Sequence, residues 1–284
     1  MKRLSKIIGI IILLILMIVC FSLWQNNTIV ISQYDYVNSK IPSSFDGFKI
    51  AQISDLHNQN FGTNQSKLLD KLSLINPDII FITGDLVDYR KYKTDGVMSF
   101  IDGAIDIAPI YYVSGNHEAW SNKYDDLKTK LLDAGVIVLD NQSIELSKEN
   151  SSIILLGLSD PDFLTNDYFD GTDTSTMENQ LSQWSNLNQF KILLSHRPEL
   201  FHLYSDHQMD LIFTGHAHGG QIRLPLIKGL IAPDQGIFPK YTSGTYTKDL
   251  STMFVSRGLG NSVFPIRIFN PPEIVVVCLK TSAE

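Results

Sequence analysis

The sequence predicts a layered α/β fold entered through an N-terminal membrane helix. Three observations predict it. Short β-branched, apolar runs recur along the chain. Helix-like stretches with an apolar stripe separate the early runs. An uncharged apolar segment follows a basic start.

The N-terminal element comes first. Lys2, Arg3 and Lys6 precede an apolar run from Ile7 to Trp24, 18 residues without a charge. That length is near the lower limit for crossing a bilayer as a helix. Trp24 suits the far interface. The basic flank should stay cytoplasmic and leave Gln25 onward outside. A cleaved signal peptide is the rival reading, but the run exceeds a usual signal core and no small-x-small site follows it. The expected organisation is an anchor over residues 1–27 and one domain over residues 28–284. The two cysteines, Cys20 and Cys278, have neither zinc-site nor disulfide-framework spacing.

Nine runs read as strands: 48–53, 78–83, 110–114, 136–139, 153–158, 191–195, 211–214, 253–256 and 274–279. Their apolar continuity suits strands buried on both faces. Residues 64–75 carry Leu68, Leu69, Leu72 and Ile75 at helical spacing, and 97–107, 124–134 and 176–187 follow weaker versions of the pattern. The first half is therefore β-α-β-α-β-α. Ligands of such folds bind beyond the C-terminal ends of strands.

The unusual residues stand at those ends. Asp55 and His57 follow the first run, Asp85 and Asp88 the second, and Asn116, His117 and Glu118 the third. His196 follows the sixth run, and His216 and His218 follow the seventh. Five of the seven histidines occupy such positions, which scattered surface histidines would not do. Single strand-end histidines are often structural, but this many beside Asp and Asn point to metal ligation. Carboxylate, imidazole and amide oxygens suit Mn, Fe, Co, Ni or Zn, and no thiolate selects a softer ion. Gly84, Gly115 and Gly215 each precede a key polar residue and are expected to permit the tight backbone there. The net charge of −7 argues against broad nucleic-acid binding. It leaves a phosphate substrate open, because bound cations reverse the local sign.

In these residues the chain resembles the calcineurin-like metallophosphoesterases. Their pattern of D-x-H, G-D-x-x-D, G-N-H-D/E, a lone H and G-H-x-H stands in order from Asp55 to His218. The resemblance implies a four-layer α/β/β/α sandwich with two mixed sheets. It assigns Asp55, His57 and His218 to a first metal ion, and Asn116, His196 and His216 to a second. Asp85 would bridge two divalent or trivalent ions. A hydroxide activated by both ions would attack phosphorus in line. His117 would stand outside the ligand set, contacting the phosphate or protonating the leaving oxygen. Asp88 and Glu118 would orient this set or serve as turn carboxylates.

The membrane segment, ISDLH, SHRPE and GHAHGGQIRLP resemble a bacterial branch of membrane-associated phosphodiesterases similar to UDP-2,3-diacylglucosamine pyrophosphatases. The predicted orientation favours a cell-envelope or lipid-linked phosphodiester over a UDP-linked intermediate. A pyrophosphatase, a phosphomonoesterase and a catalytically decayed membrane scaffold are the alternatives. Residues 219–244 form the expected substrate loop, with Leu224–Ile227 and Ile231 facing lipid or core. Arg223 and Arg257 are candidate phosphate contacts. His202 and His207 read as non-catalytic.

Overall fold

The computed structural model describes residues 2–164, 172–224, 227–261 and 266–282. Helix α1 (Lys2–Asn27) opens the chain and is long and apolar enough to cross a membrane. Its side chains from Lys6 to Cys20 are exposed. Its last turns dock on the body of the protein, where Ser22 and Gln25 are buried. Phe21 packs on Phe269 with ring centroids 5.4 Å apart, and Gln25 Oε1 accepts the Asn270 N–H at 3.1 Å.

Two six-stranded sheets follow. In chain order their strands are β1 (Val30–Val37), β2 (Lys49–Ile53), β3 (Ile79–Thr83), β4 (Ile110–Val113) and β5 (Ile137–Val138). Then come β6 (Gln142–Lys148), β7 (Ser151–Gly157), β8 (Lys191–Leu194) and β9 (Leu211–Thr214). The last three are β10 (Gly244–Lys248), β11 (Ser251–Val255) and β12 (Glu273–Lys280). The first sheet has the order β1-β12-β2-β3-β4-β5, with β12 antiparallel to β2 and parallel to β1. The second has the order β10-β11-β9-β8-β7-β6, and its two edge strands are antiparallel to their neighbours.

Helices α2 (Ser66–Ile75), α3 (Asp95–Ile105), α4 (Asn116–Trp120), α5 (Tyr124–Asp133), α6 (Ser175–Ser185) and α7 (Phe201–Asp206) complete the fold. Helix α2 buries Leu68, Leu72 and Ile75 on one face, the stripe its sequence shows. It ends where Asn76 turns left-handed, just before Pro77.

The layers follow from side-chain alternation. Along β3, Ile80 and Ile82 point into a cluster with Leu68, Leu72, Phe100 and Leu127 of α2, α3 and α5. Ile79 and Phe81 point the other way, into a cluster shared with Ile192, Leu194 and Phe213 of the second sheet. Leu193 and Ile212 face outward, against Met177, Leu181 and Phe201 of α6 and α7. The result is helix, sheet, sheet, helix, the four layers implied by the resemblance. Phe81 and Phe213 meet edge to face between the sheets at 5.2 Å, an arrangement worth about 0.5–1.5 kcal/mol beyond burial.

All nine expected strands are present. Three further strands, β1, β6 and β10, were not expected, and each is a sheet edge. The stretch after Gly219 also carries order its sequence does not announce. Arg223–Leu224 pairs with Ile227–Gly229, and Ile231–Ala232 pairs with Gly236–Ile237. Pro225 and Leu226, within the expected apolar patch, lie outside the described residues.

Candidate metal centre

The C-terminal ends of β2, β3, β4, β8 and β9 converge, because both sheets carry these strands in parallel neighbouring sets. Gln52 joins the sheets just below. Its Nε2 donates to Thr83 Oγ1 and to the Thr214 carbonyl, both at 2.9 Å. Beyond this level the backbone leaves regular strand geometry. Asp55, His57, Asp85, His216 and His218 all have positive φ, between 45° and 64°. Left-handed backbone at non-glycine residues costs of order 1 kcal/mol or more each, and it persists where the surroundings over-determine it. Here it turns successive side chains into one pocket.

The glycines act differently from expectation. Gly84 has φ +85°, as a tight turn requires. Gly115 has φ −113° and no positive φ occurs at Gly215, so at these positions the need is space. A Cβ on Gly115 would lie 2.4 Å from Asp85 Oδ1, and one on Gly215 would lie 2.0 Å from Ser54 Oγ.

Among the described residues three donor groups result, two of them sharing Asp85 and the third formed by Glu199, His216 and Asp234. Asp55, His57, Asp85 and His218 each offer one atom within 4.8 Å of the others, and so do Asp85, His196 and His216. Asp85 belongs to both. Its Oδ2 lies 3.2 Å from His196 Nε2 and 3.5 Å from His57 Nε2, while its Oδ1 accepts the His117 N–H at 2.8 Å. Asn116 Oδ1 joins the second group, 3.1 Å from His196 Nε2. The structure thus brings together all seven expected ligands.

The hydrogen positions follow from fixed partners. His196 Nδ1 faces the Thr83 carbonyl at 2.7 Å, so Nδ1 carries the hydrogen and Nε2 presents a lone pair. His216 Nε2 lies 2.8 Å from Asp234 Oδ2, so Nε2 carries the hydrogen and Nδ1 presents its lone pair. These two lone-pair nitrogens stand 3.2 Å apart, and His57 Nε2 and His218 Nε2 face each other at 3.1 Å. Acceptors packed this closely in a buried pocket call for cations between them. The residues therefore fit a pair of metal ions.

The electrostatics agree. Burial and the nearby His117 hold the His57 imidazole down at about 3. Burial also lowers His216 and His218, so these rings are neutral. Burial opposes ionisation of Asp85, yet His196, His117 and His57 draw its carboxyl well below the usual range. His196 moves the opposite way. Burial alone would lower it, but the Asp85 carboxylate raises it to about 10, so in the metal-free protein a proton occupies the place of a cation.

His117 is buried beside this pocket and outside both donor groups. Its ring packs on His57, Tyr89 and Trp120, and its Nδ1 accepts the Tyr89 N–H at 3.4 Å. Asp88 comes no nearer to it than 3.9 Å, because its carboxylate is committed to Arg90. Glu118 is fully buried and accepts the N–H groups of Asp85, Val87 and Gly115 at 2.8, 3.2 and 2.8 Å. It pins the loop that presents Asp85. Glu118→Gln puts an NH2 group among backbone N–H groups, where the buried carboxyl, pushed up to about 8 by burial and Asp85, brings at most one O–H. It is expected to destabilise the protein by about 1–3 kcal/mol. Calorimetry should show a drop of several degrees in Tm, and an unchanged Tm would deny Glu118 this role.

Arg223 and Arg257 have structural partners. Arg223 Nη1 donates to Gly219 O at 3.0 Å, and Arg257 Nε lies 3.5 Å from Glu273 Oε1. His202 and His207 lie away from the pocket, on and just after α7. Three residues were missed. Buried Arg197 holds Asp160 through Nε and Nη2 at 2.7 and 2.8 Å, and its Nη1 reaches Asp234. Asp160 follows the strand run at 153–158, a signal the sequence did contain. Asp234 approaches from the 219–244 segment, which shows no periodicity.

Residues 48–220 match the calcineurin-like phosphoesterase family. The chain is 32% identical over 259 residues to an uncharacterized metallophosphoesterase of Bacillus subtilis (strain 168), YkuE, covering 88% of this chain and 85% of that one. It is 27% identical to the phosphodiesterase YaeI of Escherichia coli (strain K12), over 81% of each chain. It is 26% identical to the UDP-2,3-diacylglucosamine pyrophosphatase LpxG of Chlamydia muridarum, over 90% of this chain and 92% of that one. The family match spans more than half of the chain and encloses every donor residue from Asp55 to His218. This protein belongs to the calcineurin-like phosphoesterases, the metal-dependent hydrolases of phosphoric esters.

Proposed function

We propose that the protein is a phosphodiesterase of the cell envelope, anchored by α1, with residues 28–284 as its catalytic domain. The observation that carries the catalytic half is the Asp85 carboxylate, shared by two donor groups. Asp55, His57 and His218 serve one ion, and Asn116, His196 and His216 serve the other, with Asp85 between. When bound, the ions lower the pKa of water and neutralise charge on the phosphoryl oxygens. The chain's own residues do the rest. The carboxylates stay ionised and the imidazoles present lone pairs. His117 donates a hydrogen to the substrate's phosphate or leaving oxygen. Similarity to a named phosphodiesterase over most of both chains supports the diester reading.

The test is hydrolysis by the purified full-length chain after chelation and return of Mn, Fe, Co, Ni or Zn. Bis-p-nitrophenyl phosphate should be cleaved at least tenfold faster than p-nitrophenyl phosphate, and only with metal present. No turnover with any ion would leave the scaffold reading. Faster cleavage of a UDP-linked pyrophosphate would favour the pyrophosphatase reading, which the likeness to LpxG supports.

Asp234 gives a prediction of its own. Carboxylates that accept the distal N–H of a ligating imidazole typically contribute 10–100-fold to metal affinity. Asp234→Ala should weaken binding of one ion of the pair by about that factor, read by titration calorimetry, and Asp234→Asn should weaken it less. Equal affinity in Asp234→Ala and the parent would remove Asp234 from this role.

A further inference from the structure

The end of α1 and the metal centre are joined by a short path. Asn270 donates its Nδ2–H to the His218 carbonyl at 2.7 Å and to the Gln221 carbonyl at 3.1 Å. Its own N–H bonds Gln25 of α1, and the N–H of Arg267 bonds Asn26 Oδ1 at 3.1 Å. The loop that steadies His218 therefore sits directly on the last turn of the apolar helix.

With α1 read as an anchor, that loop lies next to the bilayer. The residues from Ile7 to Trp24 rise about 27 Å as a helix, close to the ~30 Å of a bilayer core. Trp24 then marks the interface. Phe269 packs at a tilt on Phe21, roughly one helical turn before Trp24. Phe269 is 55% exposed, which carries weight only as part of a wider apolar patch.

The apolar surface continues from there. The Arg223 N–H bonds the Ile268 carbonyl at 2.9 Å, which brings the strand of exposed Leu224 against the segment that carries Phe269. Leu230 bonds both Gly220 and Ile222, and Phe238 bonds Leu230, so the next hairpin lies alongside. Ile231 and Ile237 are directly paired across that hairpin and share a face. Ile237 and Phe238 are 69% and 65% exposed. The hairpin also carries Asp234, which contacts His216.

We propose that Phe269, Leu224, Ile231, Ile237 and Phe238, continuous with Trp24, form a lipid-docking surface. It holds the mouth of the metal centre on the bilayer, and the substrate class is a phosphodiester whose acyl chains stay in that bilayer. The proposal rests on the reading of α1 as an anchor. A phosphoester group stands at the headgroup level of a membrane, and Asn270 ties the His218 loop to the helix end that the anchor reading puts at that level. A soluble phosphodiester needs no such surface.

The test uses the full-length chain in vesicles of phosphatidylethanolamine and phosphatidylglycerol. Cys20 and Cys278 are replaced by Ser, and a bimane is placed through Phe238→Cys or, as control, Leu250→Cys. Leu250 precedes β11, at the end of the sheet opposite the metal centre. Nitroxide on the lipid chains should quench the label at 238 at least twofold and leave that at 250 unchanged. Ile237→Ser with Phe238→Ser should lower hydrolysis of vesicle-borne phosphatidyl-p-nitrophenol about tenfold, with bis-p-nitrophenyl phosphate turnover kept within twofold. An unquenched label at 238, or equal loss on both substrates, overturns the proposal. So does shielding of position 238 that tracks self-association, which would assign the face to a second copy of the chain. Release of the parent from vesicles by carbonate would instead overturn the anchor reading, and absent turnover of the soluble diester would overturn the phosphodiesterase reading.

Discussion

Asp85→Asn is expected to lower kcat/KM by at least about 10³-fold, the upper range for loss of one charge-stabilising group in an active site. The substitution is nearly isosteric, so the effect can be assigned. The retained Oδ1 still accepts the His117 N–H. The other oxygen becomes an amide that points its hydrogens at His196 and His57, whose nitrogens lie 3.2 and 3.5 Å away. Those imidazole lone pairs accept them, and the fold is kept. What is lost is the one negative charge common to both donor groups. Bound metal measured by mass spectrometry should fall from two ions per chain to one or fewer. The melting temperature of chelated protein should fall, because Asp85 is the charge that holds the His196 proton. Wild-type turnover in Mn would exclude a bridging role for Asp85.

The legibility of this fold in its sequence divides along the sheet. Strands β2, β3, β4, β8 and β9 are buried on both faces, so they read as nearly continuous apolar runs, with Gln52 the one polar break inside β2. Edge strands have one neighbour and a wetter face. In β6, Gln142–Lys148, intermediate Ile144, Leu146 and Lys148 alternate with exposed Ser143, Glu145 and Ser147. In β1 the run is broken by Ser32, Gln33 and Asp35. Such segments acquire their conformation from pairing, which a single-sequence pattern does not encode.

The site was legible for the same reason in reverse. Its ligands follow the most readable strands at once, and their residue types are rare at such positions. The positive φ values at Asp55, His57, Asp85, His216 and His218 were not legible, since none of these residues announces left-handed backbone as glycine does. Neither was the partner set of His216. Arg197 looked like one charge in SHRPE, yet it is buried and holds four carboxylates, Asp160, Asp162, Glu199 and Asp234. Only the tertiary fold brings residues 160, 197 and 234 together. Removing one partner of so buried a cluster typically costs about 3–5 kcal/mol, which marks it as structural support as much as electrostatics.

His117→Gln should lower kcat by about 10²–10⁴-fold, the range for a lost proton donor, while both metal ions remain bound. The retained metal separates this result from that of Asp85→Asn. His117 lies outside both donor groups, so its removal strips no ligand. Burial lowers its pKa, against the pull of Asp85 and Asp88, and keeps the ring neutral at pH 7. With Nδ1 occupied by the Tyr89 N–H, the hydrogen sits on Nε2. A neutral ring so arranged donates a hydrogen bond over a wide range around neutrality, and it transfers a proton only from the imidazolium it forms by taking one up at Nδ1. Its value should depend on what leaves. A nitrophenolate departs without a proton, so bis-p-nitrophenyl phosphate should show the smaller deficit. An alkyl diester, whose alkoxide needs the proton, should show one at least tenfold larger. Equal deficits on the two substrates would confine His117 to binding the phosphate. A large deficit with loss of bound metal would mean that its ring, wedged among His57, Tyr89 and Trp120, serves to hold the ligands in place.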